Sequence, residues 1–413
     1  MPPAPCLGPS AILRLAYARH DLAALTNALI LRALSPDPDP GAMMDLATVL
    51  QARGPAWEAE SIALQRQAVA LQPSYQITHG TGCGPRLLAL VTPGNFMANT
   101  PVDFLLAGSD ATLILHYVTA ETTALHVPPH DAALMCVGES TQNAPVLAVL
   151  ARLTRGMAML NNAPALIATL TRDQVSALLA DQPHVHAPRT HKLTRAQLAR
   201  QDFPPGLTFP LLLRPLGSHA GIGLDQILDA PELSRWLNDH PVTQVYAAPY
   251  VDYRGADGFY RKQRVVLIKG QPYASHLAAS DHWMVHYLNA DMEYHADRRA
   301  IEAEWMANFD SYAARHAEAF AALYRIFPLD YFGIDCAEGP DGRLLVFEVD
   351  VAMIVHDMDD PDLFPYKPAA MRRLFDAFLA LVKDSGATPA PLWGLNPVLT
   401  KQGQDRVGTG ATT

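Results

Sequence analysis

Residues 331–356 read YFGIDCAEGPDGRLLVFEVDVAMIVH, two apolar runs on either side of Gly339-Pro340-Asp341-Gly342. The first run, 332–337, and the second, 343–349, have the length and β-branched content of strands, and the Gly-Pro-Asp-Gly segment has the composition of a turn. Three carboxylates interrupt them: Asp335, Glu348 and Asp350. Glu348 and Asp350 are two apart, so a strand points both to one face. If the strands pair across the turn, Asp335 reaches that face as well. Carboxylates gathered this way repel one another unless a cation sits between them. Hard oxygen ligands without Cys or His suit Mg²⁺, which takes one or two carboxylates plus phosphate oxygens. Two readings stand at this point: a Mg–nucleotide site, or a hairpin whose acidic residues face water.

Upstream of this hairpin, residues 301–324 have the periodicity of one long amphipathic helix. Before it lies SDHWMVHYLNADMEYH, dense in His, Trp, Tyr and Asp. His282 and His286 have the i, i+4 spacing of a helical zinc pair, but Trp283 stands where the zincin motif needs Glu. A loop that contacts substrate is the better reading. Residues 262–268 and 273–278 form a hairpin about Lys269-Gly270. Lys262 and Arg264 share one face of it, which invites anions, or else marks a guarded sheet edge.

Earlier still, 209–224 read FPLLLRPLGSHAGIGL. An apolar strand delivers Arg214 into a loop with Gly217, Ser218, His219, Gly221 and Gly223. Such a loop lets backbone N–H groups approach phosphate oxygens beside a fixed cation. Hairpin turns use the same residues, and no Gly-Lys-Ser/Thr P-loop is present. Residues 242–251 form a strand. Thr171 opens a helix by Thr-x-x-Gln, reaching to about 179. From Arg86, short apolar runs alternate with helical stretches, which predicts a small parallel α/β domain over 84–190 without a dinucleotide glycine signature. Residues 1–80 are helical. The pair 42–53 and 57–71 resembles one tetratricopeptide unit, and a lone unit reads better as a cap on the next domain than as an array.

The chain has 413 residues, 49% hydrophobic and 17% charged, enough for two or three domains. Its net charge of −10, with no basic stripe, argues against nucleic acid or an anionic membrane as partner. Cys6, Cys83, Cys136 and Cys336 are scattered, so reduced thiols and a cytoplasmic location are expected. No apolar run is long enough to span a bilayer.

Taken in order, these parts resemble the ATP-grasp superfamily of carboxylate–amine ligases, which includes glutathione synthetase and D-alanine–D-alanine ligase. The resemblance covers about residues 86–382 and is strongest over 209–224 and 261–350. It implies an α/β (α+β) fold: an N-terminal helical segment (1–80), a pre-ATP-grasp α/β domain (84–190), an ATP-grasp domain of two subdomains clasping ATP (191–384), and a disordered tail (385–413). The pattern Asp335…Glu348-x-Asp350 is similar to the family's metal hairpin, where the last position is usually Asn. By resemblance these three residues ligate one or two Mg²⁺, or Mn²⁺. Arg214 stands for a phosphate-binding Lys, and residues 217–223 cover the β- and γ-phosphates. The strand 246–251, with Tyr250, lies against adenine and offers backbone groups. Lys262 joins the ATP site, and Arg264 contacts the γ-phosphate or the acyl phosphate. The family's earlier Lys appears here as Arg172-Asp173. Pro249 occupies the place of the ribose carboxylate, for which Asp252 or Asp257 stands in.

The implied reaction is ATP- and Mg-dependent joining of a carboxylate to an amine through an acyl phosphate, on amino-acid or peptide-like substrates. His276, His282 and His286 are candidates to orient the acceptor or take its proton; the alternative is packing on Trp283 and Tyr287. Expected partners are the small carboxylate and amine, with a homodimer and a protein at the N-terminal helices left open. The competing functions are a small-molecule kinase on the same fold and a non-catalytic ATP-binding or interaction protein.

Overall fold

The computed structural model describes residues 2–217 and 221–386. The expectations placed on Ser218, His219 and the tail from 387 onward lie outside the described residues. Ser385 and Gly386, expected in the tail, belong to the last helix, Lys367–Gly386.

Three sheets organise the chain. The first has the strand order Ala4–Pro5, Ser74–Thr78, Thr112–Tyr117, Arg86–Val91, Ala132–Met135. The interior strand RLLALV, Arg86–Val91, is buried at every position after Arg86, as a strand flanked on both edges and covered on both faces is. Three strands run parallel, as expected, but Ser74–Thr78 is antiparallel to its neighbour, so the sheet is mixed. That strand and Ala4–Pro5 come from the segment expected to be helical and separate. Residues 1–80 and the α/β domain therefore share one sheet. The helix pair Pro40–Ala52 and Glu58–Leu71 packs on it, and Pro40–Ala52 is buried from Gly41 to Val49. It is a core helix of this domain, and the segment caps the sheet.

The second sheet is antiparallel, in the order His191–Thr194, Gln244–Pro249, Leu211–Pro215, Asp225–Ile227. The amphipathic helix Ala230–Asp239 buries Leu233, Trp236 and Leu237 against it. The third sheet has the order Gln271–Ser280, Tyr260–Ile268, Tyr331–Glu338, Leu344–Asp350, Val185–His186. Its first hairpin turns at Lys269 (φ 46°) and Gly270 (φ 79°), the positive-φ pair that matches strand twist. The long helix expected over 301–324 is three helices, Ala296–Ala307, Phe309–Arg315 and Ala317–Ile326. It breaks at Asn308, whose amide donates to the Glu304 carbonyl (3.0 Å), and at His316, whose Nε2 lies 2.9 Å from Glu338.

Among the described residues, no helix is long and apolar enough to cross a membrane. All four cysteines are free.

Candidate active site

The strand register places the charged side chains. Arg264 on Tyr260–Ile268 lies opposite Asp335 on Tyr331–Glu338, and Asp335 lies opposite Glu348 on Leu344–Asp350. On the other side, Arg264 pairs with His276. One row across four strands thus reads His276, Arg264, Asp335, Glu348. Lys262, two residues before Arg264, shares its face.

Asp335 is 2% exposed. Arg264 donates to it through Nε (2.8 Å) and Nη2 (3.0 Å), and Lys262 Nζ lies 2.6 Å from Oδ2. Against the upward push of burial, these two cations hold the carboxyl well below the usual range. The third arm of Arg264, Nη1, donates to the Ile354 carbonyl (2.8 Å). Glu348 takes a different partner, Arg172 Nη2 at 2.6 Å. Burial raises its pKa, but Arg172 and Arg214 outweigh that and leave it lowered. Asp350 is pushed up to about 7 by burial and by the negative charge of Glu348, despite the Ala352 N–H that it accepts at 3.0 Å.

The three carboxylates expected to share Mg²⁺ differ in their side-chain partners: Asp335 has Lys262 and Arg264, and Glu348 has Arg172. Asp335 is the counter-charge of Lys262 and Arg264. Among the described residues, no three His, Cys, Asp or Glu side chains form a metal cage. Uncompensated carboxylates cannot crowd together in a buried site, and side-chain cations relieve the repulsion here. Glu348 and Asp350 remain side by side on one strand face. Two carboxylates, one of them held half-protonated near neutral pH, fit a hard divalent cation that also binds phosphate oxygens.

Two cavities meet along this row. One lies between the second and third sheets. Leu212, Arg214, Tyr246 and Ala248 line it from one side, and Lys262, Val346 and Glu348 from the other. Arg172 enters it from the first turn of Arg172–Leu179. The Thr171 hydroxyl, expected to cap that helix, makes no such bond. Burial pushes the Arg214 guanidinium down to about 10, and it stays charged at neutral pH. Gly221 borders both cavities with φ 76°, and a Cβ there would stand 2.8 Å from Met284 Sδ. Gly217 and Gly223 also have positive φ in this hairpin loop. Tyr250 is in the wall, but its N–H donates to the Pro210 carbonyl (3.0 Å) and its hydroxyl bonds Tyr260 (3.0 Å). Asp252 and Asp257, the expected ribose carboxylates, pair with Arg254 and Arg261 and line neither cavity.

The second cavity lies beyond Arg264 and Asp350, and the loop between the helices Pro40–Ala52 and Glu58–Leu71 closes it with Gln51, Gly54 and Glu58. His276 and His286 both face it. Burial, then Arg264 and Lys367, keep His276 well below its ordinary value. Burial, then Lys262 and Arg264, push His286 down to about 4. Both rings are neutral bases at pH 7. His282 is exposed, lines neither cavity, and accepts the Met284 N–H through Nδ1 (3.2 Å). Of the three histidines, His276 and His286 line the second cavity and His282 lines neither: the loop turns at 281–284 and carries His282 outward.

Sequence reasoning missed several groups. Half-buried His356 borders the second cavity. Lys367, 3% exposed, holds Asp359 (2.7 Å), Glu302 (3.3 Å) and the Tyr287 hydroxyl, and so ties the His286 loop to the last helix. A lone Lys before a helix carries no signal for this. Arg172 did carry one, as a cation in the first turn of a helix.

A mixed α/β domain thus precedes an antiparallel sheet and a second sheet that is antiparallel except at its Val185–His186 edge, and the two face each other across a cleft. One sheet carries a glycine hairpin beside a cation, and the other a hairpin of cations opposite carboxylates. This is the arrangement that the ATP-grasp resemblance implies. No protein-family profile matches the chain, and no curated protein matches it. Among solved structures, the ATP-grasp RimK domain protein of Sphaerobacter thermophilus is similar at 14% identity and a TM-score of 0.42, over 72% of this chain and 99% of that one. The D-alanine–D-alanine ligase of Coxiella burnetii is similar at 11% identity and a TM-score of 0.45, over 74% and 96%. That of Bacillus anthracis, complexed with ATP, is similar at 13% and 0.42, over 74% and 98%.

Proposed function

We propose that this protein is an ATP-dependent ligase that joins a carboxylate to an amine through an acyl phosphate. The observation that carries the reading is the placement of Arg172, Arg214, Lys262 and Arg264 around Glu348 and Asp350, where two cavities meet. Four cations on three carboxylates, Asp335 included, leave a surplus of positive charge for phosphate oxygens.

In this reading ATP lies between the two sheets, with Arg172 and Arg214 on its phosphates. Glu348 and Asp350 would hold Mg²⁺, which when bound neutralises charge on the transferring phosphoryl group. A carboxylate oxygen of the substrate attacks the γ-phosphorus, the bond to the β-phosphate oxygen breaks, and ADP leaves. Arg264, fixed by Asp335 and Ile354, stabilises the acyl phosphate without reorganising. The amine then attacks the acyl carbon, phosphate departs, and the proton from nitrogen passes to neutral His276 or His286.

The test uses hydroxylamine as a general trap for acyl phosphates. The purified chain is incubated with Mg-ATP, hydroxylamine and a panel of amino acids and small ¹⁸O-labelled carboxylic acids. A ligase releases ADP and phosphate only with a competent acid, forms a hydroxamate, and moves one ¹⁸O into phosphate. ADP formation with a stable phosphorylated product and no hydroxamate would identify a kinase. No nucleotide turnover or binding would sink the enzymatic reading.

A further inference from the structure

A third cavity, ≈ 280 Å³, lies between the N-terminal helices and the first sheet. Leu13, Met44, Val102, Phe104 and Leu115 make its walls apolar. Among the buried polar groups that also line it, three stand out. Asp45, 3% exposed, accepts the N–H groups of Leu7 (2.9 and 3.0 Å) and Gly8 (3.1 Å), and among the described residues no Lys, Arg or His forms an ion pair with it. Asp103, 6% exposed, accepts the Ser10 N–H (2.6 Å), with His79 Nε2 3.1 Å from its other oxygen. Tyr75 is fully buried, and its hydroxyl has no hydrogen-bond partner.

A buried carboxylate without a cation is costly, and a buried hydroxyl without a partner calls for an occupant. The described lining contains no Lys or Arg, and its one other basic group, His356, is kept neutral chiefly by burial. An anionic ligand would meet uncompensated negative charge. A neutral one would leave Asp45 without its cation. An ammonium brings three donors and one positive charge, and each carboxylate oxygen keeps lone pairs beyond its backbone bonds. This cavity shares Gln51, Asn95, Phe96, Ile354 and His356 with the cavity at Arg264, so one molecule in the first abuts the reaction centre in the second.

We infer that this chamber binds an organic ammonium of apolar body, with the charge against Asp45 and Asp103 and a donor or acceptor against the Tyr75 hydroxyl. Resting on the ligase reading, it holds the non-reacting cationic end of a substrate whose reacting group lies beyond the Phe96–His356 wall. The N-terminal helices then serve substrate selection.

Calorimetry of the full-length chain with hexylammonium, hexanol and hexanoate as probes tests this, with Mg-ATP titrated separately. The expected order is hexylammonium first, hexanol about tenfold or more weaker, and hexanoate without measurable binding. Asp45→Asn should remove the preference for hexylammonium over hexanol. Because Asp45 also holds Leu7 and Gly8, two further variants are used. Tyr75→Phe removes an atom with no protein bond and should weaken hexylammonium at unchanged melting temperature. Leu13→Trp fills the chamber and should block the probe while leaving Mg-ATP binding intact. Hexanoate binding as tightly as hexylammonium, or hexylammonium affinity unchanged in both Tyr75→Phe and Leu13→Trp, overturns the inference. Mg-ATP binding without amine binding removes this chamber and leaves the ligase reading standing; amine binding without Mg-ATP binding does the reverse.

Discussion

Arg264 and Asp335 face each other on adjacent antiparallel strands and are joined by a two-bond fork of 2.8 and 3.0 Å. Both are almost wholly buried. Removing Arg264 leaves Asp335 with Lys262 alone, 2.6 Å away. Arg264→Met should cost up to about 3–5 kcal/mol of folding stability, measured by urea unfolding. Arg264→Met combined with Asp335→Leu should recover part of that loss, since Lys262 then loses its partner in turn, and still show no turnover, because the guanidinium is needed at the acyl phosphate. Recovered turnover in the double variant would show that Arg264 is purely structural.

Asp350 carries the pH dependence of the site. Its pKa is raised from 3.8 to about 7, so between those values the folded protein binds a proton that the unfolded chain releases. Stability contributed by that proton is present at low pH and falls as pH rises toward about 7. Asp350→Asn should flatten this part of the melting-temperature profile. It should also retain activity with a weaker Mg²⁺ dependence, since Glu348 remains. Loss of ATP binding in that variant would contradict the metal assignment.

Lys367 answers two buried carboxylates at once, Glu302 and Asp359. Lys367→Met should destabilise the chain by about 3–5 kcal/mol. A test of its role in the loop is hydrogen exchange: amides of 283–290 should exchange faster relative to the second sheet, which does not contact Lys367. Uniform change across the chain would mean that Lys367 only stabilises the fold.

The histidines divide by geometry. His282→Ala should leave turnover and melting temperature unchanged within error. His276→Gln and His286→Gln should lower kcat about 10²-fold or more for whichever takes the amine proton. Because both rings are depressed below 6.5, the acidic limb of that rate profile should lie well below pH 6.5. Equal, small effects from all three would point to phosphate itself as the proton acceptor.

Local pattern sufficed for most of the fold. The alternation in 331–350, the Lys269-Gly270 turn and the apolar run before Arg214 each describe an element whose partner is adjacent in sequence or whose periodicity marks a covered face. Lys262, Arg264, Asp335, Glu348 and Asp350 were legible for the same reason, since side chains two apart on a strand must share a side. What pairs with what was not legible. That Asp335 serves Arg264 and Lys262 while Glu348 serves Arg172 depends on strand register and on a helix 176 residues away. The same holds for His282 against His286, which a loop turn separates, and for Lys367, whose partners come from two distant elements. The N-terminal helices show it most plainly. Their sequence determined helices and a cap; only the tertiary structure decided that they close one cavity at Gln51 and Glu58 and enclose another around Asp45, because a cavity belongs to surfaces that no single segment contains.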